Sequence, residues 1–291
     1  MNIRTLEVFV GALIAIGISN PAQAGEPSPV LVETTAFTEV DALTAGIGAS
    51  LRKTEKDGAF TFGADSGVSV WTHATYHNVD TTRAIGSGRG YEVSLGIEKR
   101  VTPEIAIGLA ISKQEFDFDA KTVEAVAVAP YLSANFGDKL LLDAAIGISE
   151  TQDRPFLTEY GREFAYVRLG THLKLGSALS VEPFVSHTFG EQDRTSQSRF
   201  EVDRTRLGAD FIYDMGTMDL LFGVAWEHKD FRVFFPNIPS TGENYETDSP
   251  AITLGGSRKI GNSDLTVSAT FQEFQQDTQS VSLGLTFGSA Y

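Results

Sequence analysis

The chain has 291 residues, no cysteine and a formal net charge of −15. Without cysteine it has no disulfide framework, and the acidic balance argues against nucleic acid or a polybasic membrane anchor as the basis of function. The mean hydropathy is −0.07, and no run of about 18 apolar residues follows the leader, which excludes helical membrane spans but not a barrel that conceals its apolar face by alternation.

Met1 to Thr5 carries one basic residue, Arg4, and Val8 to Ile18 is apolar over a length suited to a signal h-region and too short to cross a bilayer. After Ser19-Asn20-Pro21, the triplet Ala22-Gln23-Ala24 has the small-x-small form that a signal peptidase accepts. Residues 1–24 are therefore expected to be a signal peptide, cut between Ala24 and Gly25. Arg4 and Glu7 cancel, so the mature chain keeps the whole −15.

Residues 25–65 stand outside the regular pattern that follows. Val40, Leu43, Ile47 and Leu51 fall on one helical stripe, which predicts a helix over Thr38–Lys56 with Thr38 or Asp41 as N-cap. At about 1.5 Å per residue such a helix is long enough to thread a barrel lumen. A strand is the competing reading. Leu43, Ala45, Ile47, Ala49 and Leu51 alternate with Thr44, Gly46, Gly48, Ser50 and Arg52, and each glycine costs a helix about 1 kcal/mol. The local pattern leaves both open.

Residues 66–291 repeat one device: apolar residues alternate with polar or small ones, as in Leu140, Leu142, Ala144, Ile146 and Ile148, or Leu265, Val267, Ala269 and Phe271. Successive strand side chains point to opposite faces, so each segment has one apolar and one polar face. Twelve such segments centre on Trp71, Leu95, Leu109, Val128, Ala144, Leu169, Pro183, Ala209, Val224, Leu254, Val267 and Leu283. The predicted fold class is all-β: a transmembrane, antiparallel, up-and-down barrel of about twelve strands.

A soluble barrel would alternate too, and three features select the membrane version. Tight turns at Gly137-Asp138, Leu175–Ala178, Asp214–Met218 and Ile260–Ser263 alternate with longer connections at Val79–Gly90, Thr151–Gly161 and Phe231–Asp248, although those near Ala120 and Asp277 are short. Aromatic residues sit near segment ends on the apolar face: Phe136, Phe211 and Tyr213 at one rim, Phe189, Trp226 and Phe271 at the other. An even strand count after export places both barrel termini in the periplasm, with a closing strand of Val281, Leu283, Leu285 and Phe287 in parity with Tyr291.

Charges on the polar face are expected to point into the lumen, since Arg or Lys facing lipid at mid-membrane costs about 2–4 kcal/mol. They are Glu98, Asp143, Arg168, Lys174, Glu182, Arg206 and Glu227. They read either as pairs that rigidify the interior or as a selectivity lining for solutes. No catalytic, metal or cofactor motif stands out among the five histidines or elsewhere. Ser186-His187 is the nearest approach to a nucleophile and base, but adjacent strand residues face opposite sides. No enzyme activity, cofactor or metal is expected. Phe231, Phe234, Phe235 and Tyr245 read as incidental aromatics of a surface loop.

The ordered series "ALTAGIGASL", "GVSVWTHATY", "YEVSLGIEKRVTPEIAIGLAIS", "VAPYLSANFGDKLLLDAAIGISE", "LGSALSVEPFVSHTFGE" and "TRLGADFIYDMG" resembles the translocator domain of autotransporters (type V secretion) over about residues 38–291. The resemblance implies a twelve-stranded barrel with a helix in its pore, and so favours the helix at Thr38–Lys56. It implies outer-membrane lipid, barrel assembly machinery and periplasmic chaperones as partners of a monomer in the outer membrane. There are two departures: only residues 25–37 stand where the family carries a large passenger, and residues 38–57 lack the Asn at which its self-cleaving branch cuts. The reading is a signal peptide at 1–24, an N-terminal segment at 25–65 and a barrel at 66–291, acting as a translocator-like or surface structural module. A small stand-alone pore for solutes is the alternative.

The resemblance also makes Phe287 and Tyr291 the assembly signal of the closing strand. Replacing both with Ser should leave the protein periplasmic and degraded or aggregated, as read by membrane fractionation; wild-type outer-membrane levels would refute that role.

Overall fold

The computed structural model describes residues 29–47, 68–80, 87–119, 121–137, 139–154, 158–195, 198–234, 244–261, 263–274 and 278–290. One helix, α1 (Pro29–Thr44), precedes the strands β1 (Val68–Asp80), β2 (Gly88–Thr102), β3 (Ile105–Phe118), β4 (Thr122–Phe136) and β5 (Leu140–Arg154). Next come β6 (Thr158–Gly170, with a short continuation at Leu173–Lys174), β7 (Leu179–Thr195) and β8 (Ser198–Asp214). The last four are β9 (Asp219–Phe234), β10 (Asn244–Ile260), β11 (Ser263–Phe274) and β12 (Thr278–Ala290). Each strand pairs antiparallel with its chain neighbours, and β1 pairs with β12 from Ser69↔Ala290 to Asp80↔Gln279. The result is a closed twelve-strand barrel with no free sheet edge. All twelve segments read from the alternation are strands.

Alternation becomes the inside and outside of the wall. Ile97, Leu109, Ile146, Ile148, Leu207, Val224, Leu254, Val267 and Leu283 point outward, and Leu207 and Ile146 are 67% and 65% exposed. A continuous apolar belt of this kind on the outer wall is what hydrocarbon selects and water does not. Tyr76, Tyr91, Phe189 and Trp226 flank it toward one rim, and Phe136, Tyr213 and Phe287 toward the other. No described helix is long and apolar enough to cross a membrane; this barrel presents its apolar wall through strands.

The end where β1 starts and β12 finishes, here the terminal end, has the tight turns. Gly137, Gly216 and Gly261 turn the β4–β5, β8–β9 and β10–β11 hairpins there with φ of 64°, 90° and 65°, a region costly for a residue with a Cβ. At the opposite, loop end the three long loops contract. Pairing continues to Val79↔Gly88, Asp153↔Thr158 and Arg232↔Asn244, because polar outward side chains above the apolar belt do not interrupt the backbone ladder. Phe231 is therefore not on a surface loop. It is a fully buried strand residue whose ring lies tilted against Phe200 at 5.2 Å and Tyr245 at 6.2 Å between centroids; Phe235 lies outside the described residues.

The expected helix in the lumen is present, but its bounds differ. It starts at Pro29, where a missing N–H costs the first turn nothing, and ends at Thr44 rather than Lys56. The turn after it brings Gly46 under Trp71, where a Cβ would stand 2.2 Å from the indole. A longer helix carrying side chains there would collide with that ring. Residues 29–37, which preceded the helix expected from the sequence, form the first half of the plug. Leu51 and the basic residues Arg52, Lys53 and Lys56 lie outside the described residues.

Aromatic rings facing the lumen lie over glycines directly opposite on the next strand. Trp71 covers Gly96, Phe116 covers Gly90, Phe118 covers Gly88, Tyr131 covers Gly108, Phe164 covers Gly147 and Phe184 covers Gly208.

The outward belt gives a direct test. Ile146→Arg should destabilise the membrane-inserted barrel by about 2–4 kcal/mol, whereas Glu150→Arg, on the same face near the loop end, should cost about 1 kcal/mol or less. Equal losses in a urea unfolding series in lipid would mean that the belt does not face hydrocarbon.

Candidate functional site: the plugged lumen

The helix α1 runs inside the barrel from the loop end toward the terminal end, and it packs by layers. Nearest the loop end, Val32, Ala36 and Phe37 pack with Phe200, Val202, Phe231 and Val233, and Tyr245 backs the cluster. Nearer the terminal end, Val40, Leu43 and Ile47 meet Trp71, Ala110, Ala127, Ala129, Tyr131, Ala145 and Phe164. Small alanines on β3–β5 leave the width that the helix occupies, and Trp71 is held by its Nε1–H donating to the Tyr131 hydroxyl at 3.0 Å.

Between these apolar layers lies the charged grip. Arg162 of β6 donates to Glu39 at 2.9 Å, to the Thr35 hydroxyl at 2.9 Å and to Gln192 at 2.7 Å. Gln114 of β3 donates to the same Glu39 carboxylate at 3.1 Å and to the Thr35 carbonyl at 3.0 Å. Half a turn on, Asp41 takes both terminal nitrogens of Arg204, accepts from Gln272 at 3.3 Å and stands 3.6 Å from Arg206. Arg204 also lies over the Phe37 ring at 4.7 Å. The network continues into the wall, with Arg206 at 2.8 Å from Glu227 and Glu227 at 2.8 Å from Lys229. Glu39, Arg162, Arg204 and Lys229 are almost wholly buried, so each charge is held by its partners rather than by water.

Among the described residues the helix is held through its acids, Glu39 and Asp41, by basic residues of the wall. Arg162 and Arg204 were visible as polar residues in parity with Phe164 and Arg206, but nothing local named Glu39 and Asp41 as their partners.

The seven charges singled out from the sequence occupy varied places. Glu98 and Asp143 are buried, with Glu98 beside the Tyr131 hydroxyl and Asp143 accepting from Ser133 at 2.6 Å. Arg168 reaches Asp210 at 2.9 Å and lies 4.4 Å over the Phe184 ring. Glu182 meets His172 at 3.0 Å, and Arg206 joins Glu227 as described. Lys174 is exposed on the short continuation of β6. Ala22, Ala24 and Tyr291 lie outside the described residues; Phe287 points outward on β12.

The helix does not fill the lumen evenly. On the side away from Leu43 and Trp71 a cavity of about 270 Å³ remains, lined by small hydroxyl side chains including Thr75, Thr253, Ser268 and Thr270, together with His73, Arg206 and Asp210. The arrangement is chemically a polar, water-accepting space beside a fixed plug. Among the described residues no group of three or more His, Asp or Glu side chains is placed to hold a metal ion.

No protein-family model matches the chain, and neither does any curated protein sequence. Solved structures do. The translocator domain of the autotransporter NalP from Neisseria meningitidis aligns with a TM-score of 0.61 and 12% identity over 91% of this chain and 100% of that one. The β domain of the Bordetella autotransporter BrkA aligns at 0.59 and 11% identity, over 77% of this chain and 100% of that one. An outer membrane channel from Pseudomonas putida F1 aligns at 0.56 and 13% identity, over 81% and 100% respectively. At these identities the likeness is one of fold: a closed outer-membrane-type barrel like those of autotransporter translocator domains and of the channel.

Arg162→Ala would leave Glu39 with Gln114 as its principal partner and should lower the stability of the plugged barrel by about 3–5 kcal/mol. The paired change Arg162→Met with Glu39→Gln should recover most of that loss. The temperature at which the folded form loses its compact mobility on a detergent gel measures both; no loss in Arg162→Ala would mean that the ion pair does not hold the helix.

Proposed function

We propose that this chain, with its translocator-type fold, is an integral outer-membrane module whose lumen is held shut by its own N-terminal helix. The observation that carries the reading is α1 inside the barrel, its acids Glu39 and Asp41 held by Arg162 and Arg204. A helix fastened on several sides is a poor arrangement for a free solute pathway and a good one for a sealed barrel. The export signal ending at Ala24, the lumen charges in a structural role, and the closing-strand aromatics Phe287 and Tyr291 belong to the same reading. So do assembly through periplasmic chaperones and the barrel assembly machinery, and a monomer solvated by lipid on all sides, supported by an apolar belt that runs right round the wall. The stand-alone pore is less favoured because the lumen is occupied.

Conductance in a planar bilayer tests this. The full chain should show small or rare openings, and deletion of residues 29–47 should raise single-channel conductance several-fold while the barrel keeps its compact gel mobility. Equal, large conductance of both forms would reject the sealed barrel and favour the solute pore.

A further inference from the structure

The outer wall holds a second constellation, independent of the plug. His187 of β7 and Thr205 of β8 are directly opposite each other across the ladder, and both point outward. His187 Nδ1 lies 3.0 Å from the Thr205 hydroxyl, and its Nε2 lies 3.1 Å from Asp203 Oδ1, two residues along the same strand as Thr205. Asp203 is in turn fixed through its other oxygen by Arg232 of β9 at 2.7 Å. One imidazole tautomer satisfies both contacts: Nε2–H donates to Asp203 while Nδ1 accepts the Thr205 O–H. That is a hydroxyl, a base and an orienting carboxylate in hydrogen-bonded series. Ser186, the neighbour considered from the sequence, is buried on the opposite face and takes no part.

The location gives the constellation a substrate class. Below this row, toward the terminal end, the same face carries Val185, Leu207, Val224 and Trp226; above it stand Glu201, Asp230 and Arg232. The triad therefore lies where the apolar belt gives way to charged wall, the level at which a membrane lipid places its ester carbonyls. His187 also forms one side of an outward, apolar groove of about 380 Å³ with Pro130, Ala144, Ile146, Ala165 and Phe189. The groove exists because Pro130 interrupts the β4–β5 ladder between Val128↔Ile148 and Tyr131↔Ala145, and because the alanines leave the wall thin. Being continuous with the belt that faces hydrocarbon, it fits one occupant, an acyl chain.

We propose that Thr205, His187 and Asp203 form an acyl-hydrolase site for membrane phospholipid esters. Thr205 Oγ1 attacks the ester carbonyl carbon as its proton passes to His187 Nδ1. The tetrahedral centre collapses, the bond to the glycerol oxygen breaks, and that oxygen takes the proton from His187 and leaves as lysophospholipid. Water then attacks the acyl-threonine, giving its proton to His187, which returns it to Thr205 Oγ1 as the fatty acid departs. Asp203 is a positioning residue: it accepts from His187 Nε2 and is itself held by Arg232.

The full chain, folded in mixed micelles of detergent and phosphatidylethanolamine, should release fatty acid and lysophospholipid detectable by mass spectrometry. Thr205→Ala and His187→Ala should lower that rate by about 100-fold or more, and Thr205→Ser should retain it, with compact gel mobility reporting folding in each case. Asp203→Asn should lower kcat and leave KM within about two-fold, which a merely structural residue would not do. A fluorophosphonate probe should mark the peptide containing Thr205 in wild type and not in His187→Ala. No hydrolysis by the wild-type chain, or hydrolysis that persists in Thr205→Ala, would overturn the proposal; neither result bears on the sealed lumen.

Discussion

The closed ladder is the constraint on which this molecule depends. In hydrocarbon no water is available for an unpaired N–H or C=O, and each one exposed there costs several kcal/mol. Pairing β1 with β12 removes the last open edge. Once the ring is closed, side-chain alternation has only one consistent sense: apolar residues outward, polar ones inward. The chain's charge is then gathered partly in a narrow lumen, where it must find partners, and partly on the wall beyond the apolar belt.

That same closure explains why the strands were legible from their own pattern and the bounds of the helix were not. A strand with lipid on one side and polar lumen on the other writes a period of two into its sequence, and each of the twelve centres from Trp71 to Leu283 falls in a strand. The helix has no such contrast. Glu33, Thr34, Thr35, Thr38 and Glu39 are buried alongside Val32, Phe37, Val40 and Leu43, so no face is reserved for water and no clean stripe appears. Its threonines are also poor helix formers in isolation; Thr38 and Thr44 return hydroxyl hydrogen bonds to Thr34 and Val40 carbonyls at 2.9 and 2.7 Å, a local solution that pattern reading does not weigh. The stripe through Val40, Leu43 and Ile47 was real, but only half of the helix lies on it.

The sites were legible to a similar degree. Parity located Arg206 and Glu227 on one face, yet partners that meet across the lumen, such as Asp41 with Arg204 or Glu39 with Arg162, are separated by well over a hundred residues of sequence. Thr205 was invisible beside His187 for the same reason: strand register, not sequence proximity, brings them together. The charged grip and the apolar layers also divide their labour. Desolvated ion pairs contribute little net stability but penalise any other register of the helix, whereas the apolar layers supply adhesion.

The ring-over-glycine joints have a mechanical corollary. From β1 round to β8 aromatic plates span neighbouring strands, and against Trp71 and Phe164 the helix adds a brace. From β9 to β12 the glycines Gly223, Gly255 and Gly284 meet no ring plate but small or polar neighbours such as Asp210, Thr253, Ser268, His73 and Thr75, and part of the cavity's lining comes from that arc. At the level of the cavity the wall is therefore braced by rings along one arc and lined by small polar side chains along the other, while nearer the loop end Phe200, Phe231 and Tyr245, packed on the helix, brace that second arc as well, so the lining of this cylinder changes with depth as well as with direction.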